Sequence, residues 1–221
     1  MSNNKNELKV IKTEDSSYSI YNKLLDDTYH STHGALQESN HVFINHGLHL
    51  LNYKSFKILE IGFGTGLNAA LTYLESQNSE LTINYTALEP HPLSEEIIKE
   101  VAKGYPENIA ETMILLSQSE GGKPFSFSSN FSFTLHLTQL QTFNFIDIYD
   151  LIYFDAFAPG KQPDMWTLEI FLKLFDVLNP GGLLTTYCAK GEVKRILKQA
   201  GFTVMAFPGP PGKREMTVAY R

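Results

Sequence analysis

Apolar and polar positions follow two rhythms along this chain, a period of two over short runs and a helical period over longer ones. From residue 57 the two alternate regularly. Lys57–Ile61 reads as a short buried strand, and Gly66–Ser76 has helical spacing through Leu67, Ala70, Leu71 and Leu74. Thr82–Leu88 predicts a second strand. Ser94 is placed to cap a helix running to Lys103, with Glu95 and Glu96 in its first turn. Residues 104–130 are less regular: 106–117 admits a helix, and a Ser/Phe/Gly-rich connection follows. Phe131–Leu137 and Tyr149–Asp155 read as strands, and Asp164–Leu178 is amphipathic. The turn Asn179-Pro180-Gly181-Gly182 leads into a strand over Leu183–Cys188. A basic helix spans 190–200 and stops at Gly201, and strands near 202–207 and 214–220 close the chain.

Ahead of this region the signals are weaker. The polar residues 1–6 are expected to fray. Leu8, Val10, Tyr18 and Ile20 suggest a hairpin turning near Glu14-Asp15-Ser16-Ser17. Residues 22–50 read as a helical or irregular lead-in, with the cluster Tyr29-His30-Ser31-Thr32-His33-Gly34 ahead of Gln37-Glu38-Ser39. The chain therefore divides into an N-terminal extension, 1–50, and a main domain, 51–221. Strands alternating with helices imply an α/β fold whose mainly parallel sheet is covered on both faces. Pro208–Gly212 is too short for a parallel crossover, so the last two strands should pair antiparallel. This predicts seven strands, mostly parallel, with an antiparallel last strand.

Composition narrows the classes. The 221 residues are 43% hydrophobic and 19% charged, enough for a packed core. No apolar run reaches the roughly 20 residues of a membrane-spanning helix, and the N-terminus lacks a secretory signal, so the expected location is cytoplasmic. The lone Cys188 excludes an intrachain disulfide and a cysteine-rich zinc site. Among the 7 histidines no H-x-x-x-H pair with a third ligand is evident, so no metal is expected. No G-x-S-x-G elbow of a serine hydrolase is present. The net charge of −6 conceals an asymmetry, −10 over residues 1–155 and +4 over 156–221. A phosphate-bearing partner would meet the C-terminal third more easily.

The strongest motif is Glu60-Ile61-Gly62-Phe63-Gly64-Thr65-Gly66-Leu67-Asn68, leaving a strand and entering a helix. Alternate glycines let the backbone turn tightly and approach a ligand. The spacing E-x-G-x-G-x-G differs from the G-x-G-x-x-G dinucleotide fingerprint. It resembles motif I of the class I methyltransferases, whose Rossmann-like sheet ends in an antiparallel strand. That resemblance implies S-adenosyl-L-methionine as cofactor, with Glu60, Gly62, Gly64, Gly66, Asn68 and Glu89 as its candidate residues. Glu89 ends the next strand, where a carboxylate can accept hydrogen bonds from both ribose hydroxyls. Glu60 would order the glycine loop or meet the methionine amino group. Asn179–Gly182 matches the entry to strand five of these enzymes. Many relatives place an Asp after strand three for adenine; here the segment is Leu137-Thr138-Gln139-Leu140, and Thr138 or Gln139 would substitute.

The candidate chemistry lies in Asp155-Ala156-Phe157-Ala158-Pro159-Gly160-Lys161-Gln162-Pro163-Asp164-Met165-Trp166, after strand four. Ligands of open α/β sheets bind outside the carboxyl ends of the strands. Methylation of an amine needs the neutral nitrogen, and Asp155 could orient it and help remove its proton. Trp166 could shape this loop or anchor a helix. The string Asp155–Trp166, with Ala87–Leu93 and Gly212-Lys213-Arg214-Glu215-Met216, resembles the methyltransferase half of the bifunctional MnmC enzymes and the stand-alone MnmD enzymes. Tyr29–Ser31, Gly34–Ser39 and Val42-Phe43 fit the same family, so the resemblance covers about 8–221.

The resemblance implies tRNA as partner and methylation of 5-aminomethyl-(2-thio)uridine at the wobble position, with Asp155 by the reactive amine. It implies substrate-side roles for Phe157, Lys213 and Arg214, and places His30, Ser31 and Glu38 near the active-site mouth. Lys190, Lys194 and Lys198 share one helix face and could track RNA backbone or form an ordinary solvated face. No FAD-dependent oxidoreductase half is expected in this chain, so the aminomethyl precursor would come from another source. Two rival readings stand beside this one: an N-methyltransferase of small amines, and a non-catalytic S-adenosylmethionine-binding module.

Overall fold

The computed structural model describes residues 7–221; the polar N-terminal residues expected to fray lie outside the described residues. Its centre is an eight-stranded sheet in the order β10-β11-β9-β8-β4-β5-β7-β6. The strands are β4 (Ser55–Ile61), β5 (Thr82–Leu88), β6 (Phe125–Ser128), β7 (Phe131–His136), β8 (Tyr149–Phe154), β9 (Leu178–Thr186), β10 (Thr203–Pro208) and β11 (Glu215–Tyr220). The five strands from β9 to β7 run parallel, and β11 lies antiparallel between β9 and β10.

The seven expected strands are all present, and the sheet has one more. The added strand is β6, which pairs antiparallel with β7 along the sheet edge. It comes from the Ser/Phe/Gly-rich connection, where Phe125-Ser126-Phe127-Ser128 alternates on a period of two. The turn at Asn179–Gly182 also differs from expectation. It does not end the preceding element but is absorbed into β9 as an irregularity, Tyr149 facing Leu178 and Leu151 facing Leu183. Backbone bonds explain this: the Gly181 N–H donates to the Arg221 carbonyl at 3.0 Å and the Arg221 N–H to Gly182 at 3.1 Å, keeping the turn within the sheet.

Alternation along β4 separates two cores. Phe56 and Ile58 pack beneath α2 (Leu67–Asn78), α3 (Glu95–Ala102) and α4 (Glu107–Ser117), whereas Leu59 and Ile61 pack beneath α5 (Leu168–Asp176) and α6 (Gly191–Gln199). Glu60 therefore points to the α2 face. Ser94 caps α3, its Oγ accepting from the Ile97 N–H at 3.4 Å. Trp166 is a packing anchor, edge-on to Phe154 at 4.9 Å with its Nε1–H donating to the Phe157 carbonyl at 2.8 Å.

The expected hairpin is part of a three-stranded sheet, β1 (Leu8–Lys12), β2 (Tyr18–Asn22) and β3 (Asp27–Thr28). The lead-in after it contains α1 (Ala35–Ser39), a π-helical stretch Asn40–Asn45 and a 3₁₀ turn Leu48–Leu50. Asp15 fastens this layer. Its carboxylate accepts from Thr13 Oγ1 at 2.7 Å, from Ser17 Oγ at 2.5 Å and N–H at 3.0 Å, and from the Gln37 N–H at 3.0 Å. Asp15→Ala removes a remote cap from α1 and leaves two hydroxyls to re-pair, which should cost about 2 kcal/mol. A thermal melt should read a fall of roughly 4–8 °C for a chain of this size; an unchanged melting temperature would contradict the capping role.

Candidate active site

Every parallel strand of the central sheet delivers its C-terminal end to one side of the molecule, and a cavity of about 1290 Å³ opens there. It is roofed by the N-terminal layer through Tyr29, His30, Ser31 and Glu38. Such a volume exceeds what one drug-sized ligand needs and can hold a cofactor with an acceptor group beside it.

The glycine loop forms one wall. Gly62, Gly64 and Gly66 have φ of 89°, 51° and 79°, a region that glycine enters without penalty. Space is limited as well: a Cβ on Gly62 would lie 2.6 Å from the Asp155 carbonyl oxygen, and one on Gly64 would lie 3.2 Å from the Tyr29 ring. Glu89 holds the loop from the end of β5, accepting from the Gly64 N–H at 3.0 Å and from the His91 N–H at 2.9 Å. Each of its oxygens thus accepts one of these bonds and has the capacity to accept another. This acceptor-rich carboxylate beside backbone stripped of Cβ atoms suits a nucleoside whose ribose presents two hydroxyl donors. Gly62, Gly64 and Glu89 line the cavity, as do Thr138 and Gln139 beyond β7.

Glu60, Gly66 and Asn68 lie one layer deeper and do not line it. The Asn68 amide donates to Glu60 Oε1 at 3.0 Å and to Asp155 Oδ2 at 2.9 Å. Burial, followed by the neighbouring Asp155 carboxylate, pushes the Glu60 carboxyl well above its usual range.

Asp155 follows the last residue of β8 and faces the cavity. Burial raises its carboxyl to about 7; the nearby Glu38 adds to the rise, while the Asn68 hydrogen bond and Lys213 oppose it. A carboxyl titrating there is poised for proton transfer near neutral pH. Opposite stands an ion pair: Lys213 Nζ meets Glu38 Oε1 at 2.5 Å, Glu38 Oε2 accepts from the Ser31 N–H at 2.7 Å, and Lys213 lies 3.9 Å from the centre of the Tyr187 ring. Phe157 completes the apolar side, edge-on to Tyr29 at 5.0 Å.

Of the substrate-side candidates, His30, Glu38, Phe157 and Lys213 line the cavity with Asp155, whereas Arg214 projects to solvent outside it. His30 is buried, and burial lowers its imidazole to about 4, so it is neutral at pH 7. Its Nε2 lies 2.9 Å from Thr65 Oγ1, which ties the roof to the glycine loop. On α6, Lys194 is paired with Glu215 at 2.7 Å, and Lys190 and Lys198 are exposed.

Sequence reasoning missed Tyr187 and gave Tyr29 no role. Tyr187 lies one residue past β9, at the same strand-end level as Asp155, and donates to the Ala156 carbonyl at 2.8 Å. The strand-end rule would have flagged it. Tyr29 sits in a roof segment whose path no local pattern reveals. Among the described residues no group of three metal-ligating side chains occurs, and no helix is long and apolar enough to cross a membrane.

A family model described as an S-adenosyl-L-methionine-dependent methyltransferase matches residues 94–221. The tRNA 5-methylaminomethyl-2-thiouridine biosynthesis bifunctional protein MnmC of Cupriavidus necator is 32% identical over 212 residues, covering 90% of this chain and 32% of that protein. Its counterpart in Pseudomonas putida is 32% identical over 212 residues, covering 88% of this chain and 32% of its own length. This chain thus spans about a third of the length of the curated relatives it matches. The crystal structure of MnmC2 from Aquifex aeolicus superposes with a TM-score of 0.80 at 25% identity, over 96% of this chain and 70% of that one. Spermidine synthase from Thermotoga maritima shares the fold, with a TM-score of 0.56 at 12% identity over 96% of this chain and 68% of that one.

Proposed function

The chain belongs to the S-adenosyl-L-methionine-dependent methyltransferase family, and from that premise we propose that it methylates the aminomethyl nitrogen of 5-aminomethyl-(2-thio)uridine at the wobble position of tRNA. Its fold is that of the class I methyltransferases, and S-adenosylmethionine is its methyl donor. The observation that carries the reading is the placement of Asp155, titrating near 7, in the same cavity as the glycine loop and Glu89.

Gly62, Gly64 and Glu89 are assigned to the nucleoside end of the cofactor, with Thr138 and Gln139 at the adenine. Gly66 sets the turn into α2, and Glu60 and Asn68 support the site from below. When bound, S-adenosylmethionine supplies a methyl carbon on a positive sulfur, open to in-line attack. Asp155 receives an N–H of the neutral amine through its free oxygen, fixing the nitrogen lone pair away from the carboxylate. Asp155 would accept the proton that the amine nitrogen gives up on taking the methyl group and pass it to solvent. Phe157 and Tyr187 offer ring faces for a pyrimidine, while the Lys213–Glu38 pair can re-form its polar contacts around it. Arg214, Lys190 and Lys198 are available to RNA phosphates from outside the cavity. In this reading the protein acts in the cytoplasm, and a separate reaction supplies the aminomethyl group.

A second reading follows from the charge of the cavity. Glu38, Glu89 and Asp155 all face it, and a small cationic amine would be drawn to them. Salt separates the two readings. With tRNA bearing 5-aminomethyluridine, KM should rise at least tenfold between about 50 and 200 mM salt, because phosphate contacts release counterions. Transfer to a polyamine at a salt-independent KM, with none to tRNA, would favour the small-amine enzyme.

A further inference from the structure

Beneath the cavity floor lies a buried trio that the proposed chemistry does not yet use fully. Asn68, the second residue of α2, is 2% exposed, and Glu60 is fully buried. The side-chain amide has two hydrogens and faces two carboxyls, donating to Glu60 Oε1 at 3.0 Å and to Asp155 Oδ2 at 2.9 Å. Turned over, it would set its carbonyl against the Asp155 carboxylate, so this orientation is the one that ionised Asp155 requires. The arrangement leaves Asn68 Oδ1 buried with no hydrogen-bond partner among the described residues, while the buried Tyr85 hydroxyl stands beside the Glu60 carboxyl. An unpaired buried oxygen costs stability, so the amide is held in this orientation by the two carboxyls it donates to.

We propose that Asn68 is a positioning residue: tied down by Glu60, its amide holds one oxygen of Asp155 against the floor and turns the other toward the acceptor amine. The inference rests on the reading of Asp155 as the group that receives the amine proton. It also departs from a cofactor-binding role for Asn68, which does not reach the cavity. Holding Oδ2 fixes the carboxylate plane, and the amide also favours the ionised carboxylate. The groups facing Asp155 are Glu38 from α1, Lys213 ahead of β11, Tyr187 beyond β9, and Glu60 and Tyr85 from β4 and β5. Among the described residues, Asn68 alone hydrogen-bonds its carboxylate.

The test compares Asn68→Ala, Asn68→Asp and Asp155→Ala with the parent, using labelled S-adenosylmethionine and tRNA bearing 5-aminomethyluridine. We expect Asn68→Ala to lower kcat at least tenfold and move the acid limb of the rate profile upward. S-adenosylmethionine should bind within about twofold of its parental affinity. Asn68→Asp keeps the shape but has at most one hydrogen to share between two carboxyls, so its acid limb should also move up; it gives the answer if the alanine variant does not fold. Affinity for S-adenosylmethionine falling in step with kcat would overturn the proposal and make Asn68 a cofactor ligand. An unchanged kcat and acid limb in both Asn68 variants, with Asp155→Ala inactive, would overturn it while leaving the role of Asp155 intact. Full activity in Asp155→Ala would remove both.

Discussion

Asp155→Asn should lose methyl transfer by about 10²–10⁴-fold, the usual worth of a positioned proton acceptor, while the folded protein gains stability at pH 8. The two effects share a cause. In the folded chain burial holds the carboxyl up to about 7, against the ordinary value of 3.8. Between those values the unfolded chain has released the proton and the folded chain has kept it. Stability therefore falls as pH rises across this window, and the loss is complete above 7. Asparagine has no proton to lose and can still accept from Asn68. The variant should be the more stable protein at pH 8 by on the order of 2 kcal/mol, discounted because the parent carboxyl retains some solvent contact. The two should be nearly equal at the acid end of the window. In the parent, kcat/KM should rise with pH through about 7 as Asp155 ionises. Melts at pH 5 and 8 beside rate profiles read both consequences. An active Asp155→Asn enzyme would contradict the role given to this carboxylate.

Gly62→Ala should strike cofactor binding and folding together. The new methyl would lie 2.6 Å from the Asp155 carbonyl oxygen, a backbone atom that cannot rotate away, at a φ of 89° that alanine adopts only under strain. Relief requires the loop after β4 to separate from the loop after β8, the two segments that carry the proposed cofactor and acceptor contacts. We expect a loss of about 2–4 kcal/mol in stability and weakening of S-adenosylmethionine binding by at least about tenfold. Gly160→Ala is the control, since a Cβ there meets nothing within 4 Å. Calorimetric titration and melting curves distinguish the two; equal behaviour would contradict the close approach at Gly62.

These effects depend on features that differ in how legible they are in the sequence. The glycine loop and Glu89 could be read because a strand, a tight turn and a helix follow one another locally, and Asp155 because it ends a strand. The antiparallel last strands could be read because Pro208–Gly212 is too short to cross the sheet. Other features depend on distant parts of the chain. Tyr29 and His30 reach the glycine loop because Asp15 and Ser17 fasten α1 from another layer, contacts that span some twenty residues. The inward position of Asn68 follows from α2 packing on the sheet, and its link to Asp155 joins residues 87 apart. The edge strand β6 was legible in the Phe-Ser alternation but too short to stand out from the loop around it. In β9 the Asn-Pro-Gly-Gly signal marked a real irregularity, and only the bonds to Arg221 decided that the strand continues through it.

The most direct measurement is to incubate the purified protein with methyl-labelled S-adenosylmethionine and tRNA bearing 5-aminomethyluridine, digest the RNA, and identify the labelled nucleoside. The account predicts label in 5-methylaminomethyluridine, lost in Asp155→Ala. Cofactor binding with no label in that nucleoside would contradict the wobble-uridine assignment and leave a methyltransferase acting on another amine.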